Sequence, residues 1–222
     1  MARKALTEAS SNGRTADFGS AYEGSNPSAS NPFGGCDSDP ERDEGTAGRR
    51  GTSLPGEVVL VPLGTLPPRL LTEVAQGLRE ALGVSWHAGP ALDRPAYAFN
   101  EARRQYNSPA ILRRLGVLRG GAPAPLVGLC DVDLFIPEDG EYVIGDADRD
   151  AGVALLSIAR LAGEPEAVRR RARVETLSAF GRVLGLGSCH DYRCAMFAAI
   201  DAHEVDRKGP GLCAACRGLL GL

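Results

Sequence analysis

Several features that would place this chain in a familiar class are missing from it. No apolar run approaches the ~18 residues that a membrane-crossing helix needs, and the first residues lack the short hydrophobic segment of a secretion signal. No membrane association and a cytoplasmic location are therefore expected. There is no basic excess either: the net charge is −3, which argues against a general nucleic-acid binder. Leucine, isoleucine and valine are almost absent before Leu54, Leu6 being the only one. A segment that is instead rich in Ser, Gly, Asn and Asp cannot bury enough apolar surface to offset the entropy of ordering. Residues 1–53 are accordingly expected to be disordered.

Part of that segment, Ser10 to Ser30, resembles the conceptual translation of a tRNA gene, as arises when a start codon is placed too far upstream. Cys36 and the acidic stretch Asp37 to Glu44 read as solvated residues with no role. What remains, residues 54–222, suffices for one globular domain with a sizeable core, the whole chain of 222 residues being 43% hydrophobic.

The pattern in that domain alternates strands with helices. Glu57 to Pro62 suits a buried strand, and Leu71, Val74, Leu78 and Leu82 repeat at helical spacing, with Pro68 in the first turn and Gly83 as the stop. A second strand is expected at Val84 to Ala88. Its His87 reads as a partly exposed strand residue, no acid or cysteine lying nearby at ligand spacing. Ser108 and Pro109 are expected to cap and open a helix through Leu115. Leu126 to Phe135 reads as one buried strand running into Asp131-Val-Asp133, a pair with too few oxygens for a hard cation and so structural. Cys130 within it reads as a small buried hydrophobe.

Pro137 to Gly140 marks a turn, Glu141 to Gly145 a short strand and Val153 to Ala159 a further one, which together suggest a mixed sheet with an antiparallel edge strand. A long helix then starts near Glu164, with Ala167, Val168, Ala172, Leu177, Phe180 and Leu184 on its apolar side. Arg169, Arg170, Arg171 and Arg173 in its first half lack interleaved aromatics and read as a solvated face. Gly181 leaves no side chain where the helix packs, and Gly185 and Gly187 end it.

Four cysteines follow as C-x4-C and C-x2-C: Cys189, Cys194, Cys213 and Cys216. Pairs at such spacing, in a chain without a secretion signal, favour thiolate–metal bonding over disulfides. They can form a closed tetrahedral site of four sulfurs, structural because it leaves no position for water or substrate.

The stretch Ser178-Ala-Phe-Gly-Arg182-Val-Leu-Gly185-Leu-Gly-Ser188-Cys189, with Cys194, Met196, Cys213 and Cys216 in register, resembles the archaemetzincins, zinc metallopeptidases with the signature H-E-x-x-H-x-x-G-x-x-H-C-x4-C-x-M and a following C-x2-C pair. Arg103-Arg-Gln-Tyr106 and the strand into Asp131-Val-Asp133 are also similar. The resemblance covers roughly residues 54–222 and implies an α/β (α+β) metzincin-like domain: a mixed sheet with an antiparallel edge strand, a central active-site-type helix and a C-terminal four-cysteine zinc site. It also implies that the three zinc-binding histidines fall at Ser178, Arg182 and Ser188, and the catalytic glutamate at Ala179.

None of the four replacements can do the expected chemistry. Serine hydroxyls are poor zinc ligands at neutral pH, alanine takes no proton, and a guanidinium stays charged and has no lone pair to donate. Met196 then becomes ordinary packing. The resulting expectation is a pseudoenzyme with one structural zinc and no catalytic zinc. Its former active-site cleft would bind a peptide or partner protein, with Arg182 as a carboxylate anchor. Two other readings are weighed. One is a hydrolase with a metal rebuilt on His190 or His203 with Asp191 or Glu204, although no pair of them has the i, i+4 helical placement. The other is a zinc-ribbon interaction module, which leaves the upstream sheet and helix unexplained.

Overall fold

Alternation in Glu57–Leu63 sends Val58 and Leu60 to one side and Val61 and Leu63 to the other, all four buried, so this strand, β1, lies between two layers. The structure is a computed structural model and describes residues 54–137 and 142–222. The readings placed on residues 1–53, and most of the turn after Pro137, fall outside the described residues.

Helix α1, Leu70–Leu82, buries Leu70, Val74, Leu78 and Leu82 and stops at Gly83, whose φ of 73° suits a residue without a Cβ. Its cap is Arg69, so Pro68 precedes the helix instead of sitting in its first turn. Strand β2, Ser85–Ala88, pairs parallel with β1. The short strands β3, Phe99–Asn100, and β4, Gln105–Asn107, lead into helix α2, Ser108–Arg119, which runs beyond the expected Leu115. Its cap is Asn107, whose Oδ1 accepts the Ala110 N–H at 2.9 Å. Ser108 is not the cap because its hydroxyl donates to the Asp146 carboxylate.

The expected single strand over Leu126 to Phe135 is two. Strand β5, Leu126–Cys130, joins β1, while β6, Leu134–Phe135, joins a different sheet. The break lies at the two aspartates, which hold arginines: Asp131 meets Arg94 at 3.0 Å, and both oxygens of Asp133 meet Arg160 at 2.6 and 2.7 Å. Burial works to raise the Asp133 carboxyl, but the hydrogen bonds from Arg160 and Gln105 and the nearby charges win and lower it. Cys130 is fully buried, and burial pushes its thiol up to about 11.

Strands β7, Tyr142–Val143, β8, Gly145–Asp148, and β9, Val153–Ser157, follow. The main sheet runs β2-β1-β5-β9-β8, parallel except for β8, which pairs antiparallel with β9 at the edge; β3-β4-β6-β7 form the second sheet. The expected mixed sheet with an antiparallel edge is thus present.

Helix α3, Pro165–Val183, packs with α1 on one face of the main sheet, and α2 covers the other. Its arginines are tethers more than a solvated face. Arg170 and Arg171 meet Asp206 at 2.5 and 2.7 Å in helix α4, Ala202–Arg207, and Arg173 meets Glu80 of α1. The last helix is α5, Ala214–Leu219. Among the described residues no helix is long and apolar enough to cross a membrane.

The Asp206 tether predicts an acid response. The Arg171 hydrogen bond, with the charges of Arg170 and Arg171, holds its carboxyl down at about 2. Its folded value is below the unfolded one, so its contribution is complete above pH ~4 and is lost as the pH falls toward ~2. Partial exposure limits that contribution to about 1 kcal/mol. Asp206→Asn is expected to lose about that much in urea unfolding at neutral pH and to flatten the decline between pH ~4 and ~2. Parallel wild-type and variant curves over that range would remove Asp206 as the cause.

Candidate functional site

Glu175, Ser178 and Arg182 follow one another at i, i+3 and i+7 along α3 and so share a face. That face lies beneath β8. A Cβ on Gly145 would stand 3.5 Å from the Ala179 Cβ, so the edge strand passes over the residue that replaces the glutamate. Ser178 is 2% exposed, whereas Arg182 and Ser188 are exposed. From beneath, the Met196 sulfur would be 2.5 Å from a Cβ on Gly181, so any side chain there would have to displace the methionine. Met196 is buried.

Arg182 does not hang free. Its Nη1 donates to the Gly145 carbonyl oxygen at 3.0 Å. In the antiparallel β8–β9 pair the Ser157 N–H bonds the Ile144 carbonyl, so by alternation Gly145 and Ala147 point their backbone groups away from β9. The Ala147 N–H is also taken, by the Asp146 Oδ1 at 2.8 Å. Two of these four outward groups thus already have partners within the chain.

One turn before Ser178 is a feature that the sequence pattern did not reveal. The Lys208 Nζ is 2.5 Å from the Glu175 Oε1, with the two side chains 0% and 4% exposed. Burial pushes the Glu175 carboxyl up and the Lys208 ammonium down, and each opposes the other's shift. The spacing with Ser178 and Arg182 was the one available signal for Glu175; nothing in the sequence marked Lys208.

Lys208 belongs to the segment that assembles the cysteines. The Gly209 N–H bonds the Arg193 oxygen at 2.7 Å and the Ala195 N–H bonds the Gly211 oxygen at 2.9 Å, which zips the first cysteine loop to the stretch before the second. A Cβ on Gly209 would be 2.6 Å from that Arg193 oxygen, so the approach needs glycine. The result brings Cys189, Cys194, Cys213 and Cys216 together with all four sulfurs within 4.8 Å of one another.

Four thiolates at about 2.3 Å from one ion in a tetrahedron stand about 3.8 Å apart. The Cys189 and Cys213 sulfurs are 3.7 Å apart, and the Cys213 N–H donates to the Cys194 sulfur at 3.3 Å. The Cys216 N–H is the main cause that lowers the Cys213 thiol, whereas burial raises Cys189 and Cys216. Donors aimed at sulfur, with buried thiols that resist ionising unaided, fit a site completed by a divalent cation.

The other candidates do not converge. Asp191 accepts the Arg193 N–H, Glu204 accepts the Ile200 N–H, and His190 and His203 are both exposed. His87 does have an acidic neighbour, Glu57, 2.9 Å away across the β1–β2 pair, which spacing along the chain could not reveal. Among the described residues the four cysteines are the only group of three or more such ligands able to share one ion.

No protein-family model matches the chain. Individual relatives do. It is 31% identical over 171 residues to the archaemetzincin of Aeropyrum pernix, covering 73% of this chain and 91% of that protein. With the archaemetzincin of Methanocaldococcus jannaschii it shares 29% identity over 166 residues, 72% and 89% of the two chains. The crystal structure of the Methanopyrus kandleri archaemetzincin superposes with a TM-score of 0.64 at 30% identity, covering 78% of this chain and 96% of that one. That of Archaeoglobus fulgidus, complexed with malonate, also gives 0.64, at 28% identity and coverages of 73% and 99%.

Proposed function

The chain belongs to the archaemetzincin family, and we propose that it is a catalytically inactive member, with one structural zinc on Cys189, Cys194, Cys213 and Cys216. No zinc is held at the former active site, and the groove between β8 and α3 serves to bind an acidic peptide or a partner protein. The observation that carries this reading is the residue set of the groove: Ser178, Ala179, Arg182 and Ser188, with the Arg182 guanidinium lodged on the Gly145 oxygen.

A bound catalytic zinc would supply a polarised water and a Lewis acid for the scissile carbonyl. Here a permanent cation on α3 repels a divalent ion, and the methyl of Ala179 cannot take the proton. The cysteine site, by contrast, has four soft donors at tetrahedral separation, and its thiolates suit a reducing, cytoplasmic setting. Arg182 uses Nη1 on Gly145, which leaves the Nε–Nη2 side of its fork for a carboxylate. The malonate complex of the Archaeoglobus fulgidus relative shows a family member with a dicarboxylate ligand. The pairing of Arg170 and Arg171 with Asp206, and of Arg173 with Glu80, supports a reading without nucleic acid.

Protein purified without chelator is expected to carry one zinc per chain by elemental analysis and to leave a randomised peptide library uncut, with or without added zinc. Two zinc ions per chain, or cleavage abolished by chelator, would sink the reading of an inactive enzyme.

A further inference from the structure

The groove beneath β8 is closed at one end. Tyr142, in β7 of the second sheet and three residues before Gly145, donates its hydroxyl to the Ile200 oxygen at 2.7 Å. Ile200 comes four residues after Met196, which packs by Gly181 of α3, so this bond ties the chain entering β8 to the loop that follows the helix. The Arg160 guanidinium, 3.6 Å from the Tyr142 ring centre and paired with Asp133, holds the tyrosine from behind.

Two arginines lie beside β8 without an acidic partner. Arg182 has no carboxylate partner among the described residues, and neither does Arg149. The Arg149 guanidinium lies just past the C-terminal end of β8, its carbon 2.8 Å from the position a Cβ would take on Gly185. The carboxylate closest to Arg182 on its own face, Glu175, is matched by Lys208. The acids on β8 accept hydrogen bonds from neutral groups, Asp146 from Ser108 and the Ala147 N–H and Asp148 from the Ala151 N–H.

From this we infer that the groove reads the free C-terminus of an extended chain, not an internal segment, a conclusion that rests on the proposal of a retained binding cleft. Antiparallel pairing is the more favourable mode of strand addition, and it runs the ligand opposite to β8, with its C-terminal end toward Tyr142. A chain in that orientation enters past Arg149, meets Arg182 and stops at the Tyr142–Ile200 bridge. Its terminal carboxylate takes the Nε–Nη2 side of the Arg182 fork. An internal segment would have to break the bridge to continue. With two of the four outward backbone groups at Gly145 and Ala147 already paired, strand addition alone gives little affinity, so the terminal charge contributes most of it.

The test uses the full chain, immobilised, and three pools of randomised hexapeptides counted by mass spectrometry: free acids, C-terminal amides, and free acids extended by four glycines at the C-terminus between the random part and the carboxylate. Wild type is expected to enrich the free acids over the amides by about tenfold or more, the loss expected for a charge-assisted hydrogen-bonded pair. In the extended pool the four glycines fill the groove and the randomised residues lie outside it, past Arg149, so selection among them is expected to disappear. Arg182→Gln, an exposed change whose fold is checked by circular dichroism, is expected to erase the preference for acid over amide. Tyr142→Phe keeps the ring under Arg160 but removes the bridge, and is expected to restore selection within the extended pool.

Equal capture of acids and amides that still depends on Arg182 would overturn end recognition and leave the cleft as a site for acidic side chains. Capture of none of the pools would overturn the cleft itself, and this inference with it.

Discussion

Replacing Cys213 and Cys216 together with serine is expected to abolish zinc binding, taking the ion content from one per chain to none. Structural zinc sites contribute apparent binding free energies of about 10–16 kcal/mol in isolated zinc-finger peptides. In this domain the sheet and α1, α2 and α3 have cores of their own, so only the part of that energy needed to order the C-terminal segment is lost. A decrease of several kcal/mol, or about 10 °C in Tm, is expected.

The loss should be local. Cys213 caps α5, and Cys194 lies on the loop that pairs with Gly209 and Gly211, so amides from about Cys189 onward are expected to lose hydrogen-exchange protection while β5 and α1 keep theirs. Cys130→Ser is the control: it removes a buried thiol in β5, away from the four clustered sulfurs, and should leave the zinc content unchanged. Unchanged zinc in the double variant would dismiss the four-cysteine site.

The contrast between what the sequence revealed and what it hid follows from the range of each interaction. The cysteine cluster, the α3 boundaries near Glu164 and Gly185, and the buried faces of β1 and α1 are set by spacing within short stretches, so periodicity and motif register were enough to place them. The caps were misplaced by a residue or two because side chains chose partners far away: Ser108 gave its hydroxyl to Asp146 in β8, and Asn107 took the cap. Leu126 to Phe135 looked like one strand because both halves are buried, although they are buried in different sheets. His87 and Glu57 meet only through strand pairing. The groove followed the same rule. Ser178, Ala179 and Arg182 were legible as substitutions in a motif, but the Gly145 oxygen that holds Arg182 and the Tyr142–Ile200 bridge come from elements brought together by the fold.

The substitutions in the groove also fit one another. A glutamate at position 179 would reach under β8, where even a Cβ on Gly145 would stand only 3.5 Å from the Ala179 methyl. A zinc-binding histidine at 182 would not donate a charged hydrogen bond to the edge strand, whereas the guanidinium does. Alanine and arginine together leave room beneath the strand while tying it to the helix, which the catalytic pair would not do. Restoring one catalytic residue at a time would therefore disturb this packing without rebuilding a site.

The buried Glu175–Lys208 pair separates two accounts of what holds α3 to the cysteine segment. Lys208→Met removes one charge and keeps the volume, leaving the Glu175 carboxylate without its partner in a site that is 4% exposed. Breaking a buried pair from one side costs about 3–5 kcal/mol, a large share of the ~5–15 kcal/mol that holds a typical domain folded. The double change Glu175→Leu with Lys208→Met removes both charges and is expected to recover most of that loss, since a well-packed apolar replacement is often neutral or better. The pH response identifies the cause. Without Lys208, burial is opposed only by the weaker pull of the Arg182 charge, and the Glu175 folded value rises further above the unfolded one. A raised carboxyl contributes its stability below the unfolded value, near pH ~4, and loses it as the pH climbs through the folded one. The single variant should therefore weaken steadily from pH ~4 toward neutrality in urea unfolding, while the double variant should show no such decline. A single variant with wild-type stability at pH 7 would mean that the carboxylate finds water or another donor once the lysine is gone. The hold on α3 would then rest on the Asp206 tether and apolar packing, with the ion pair adding nothing.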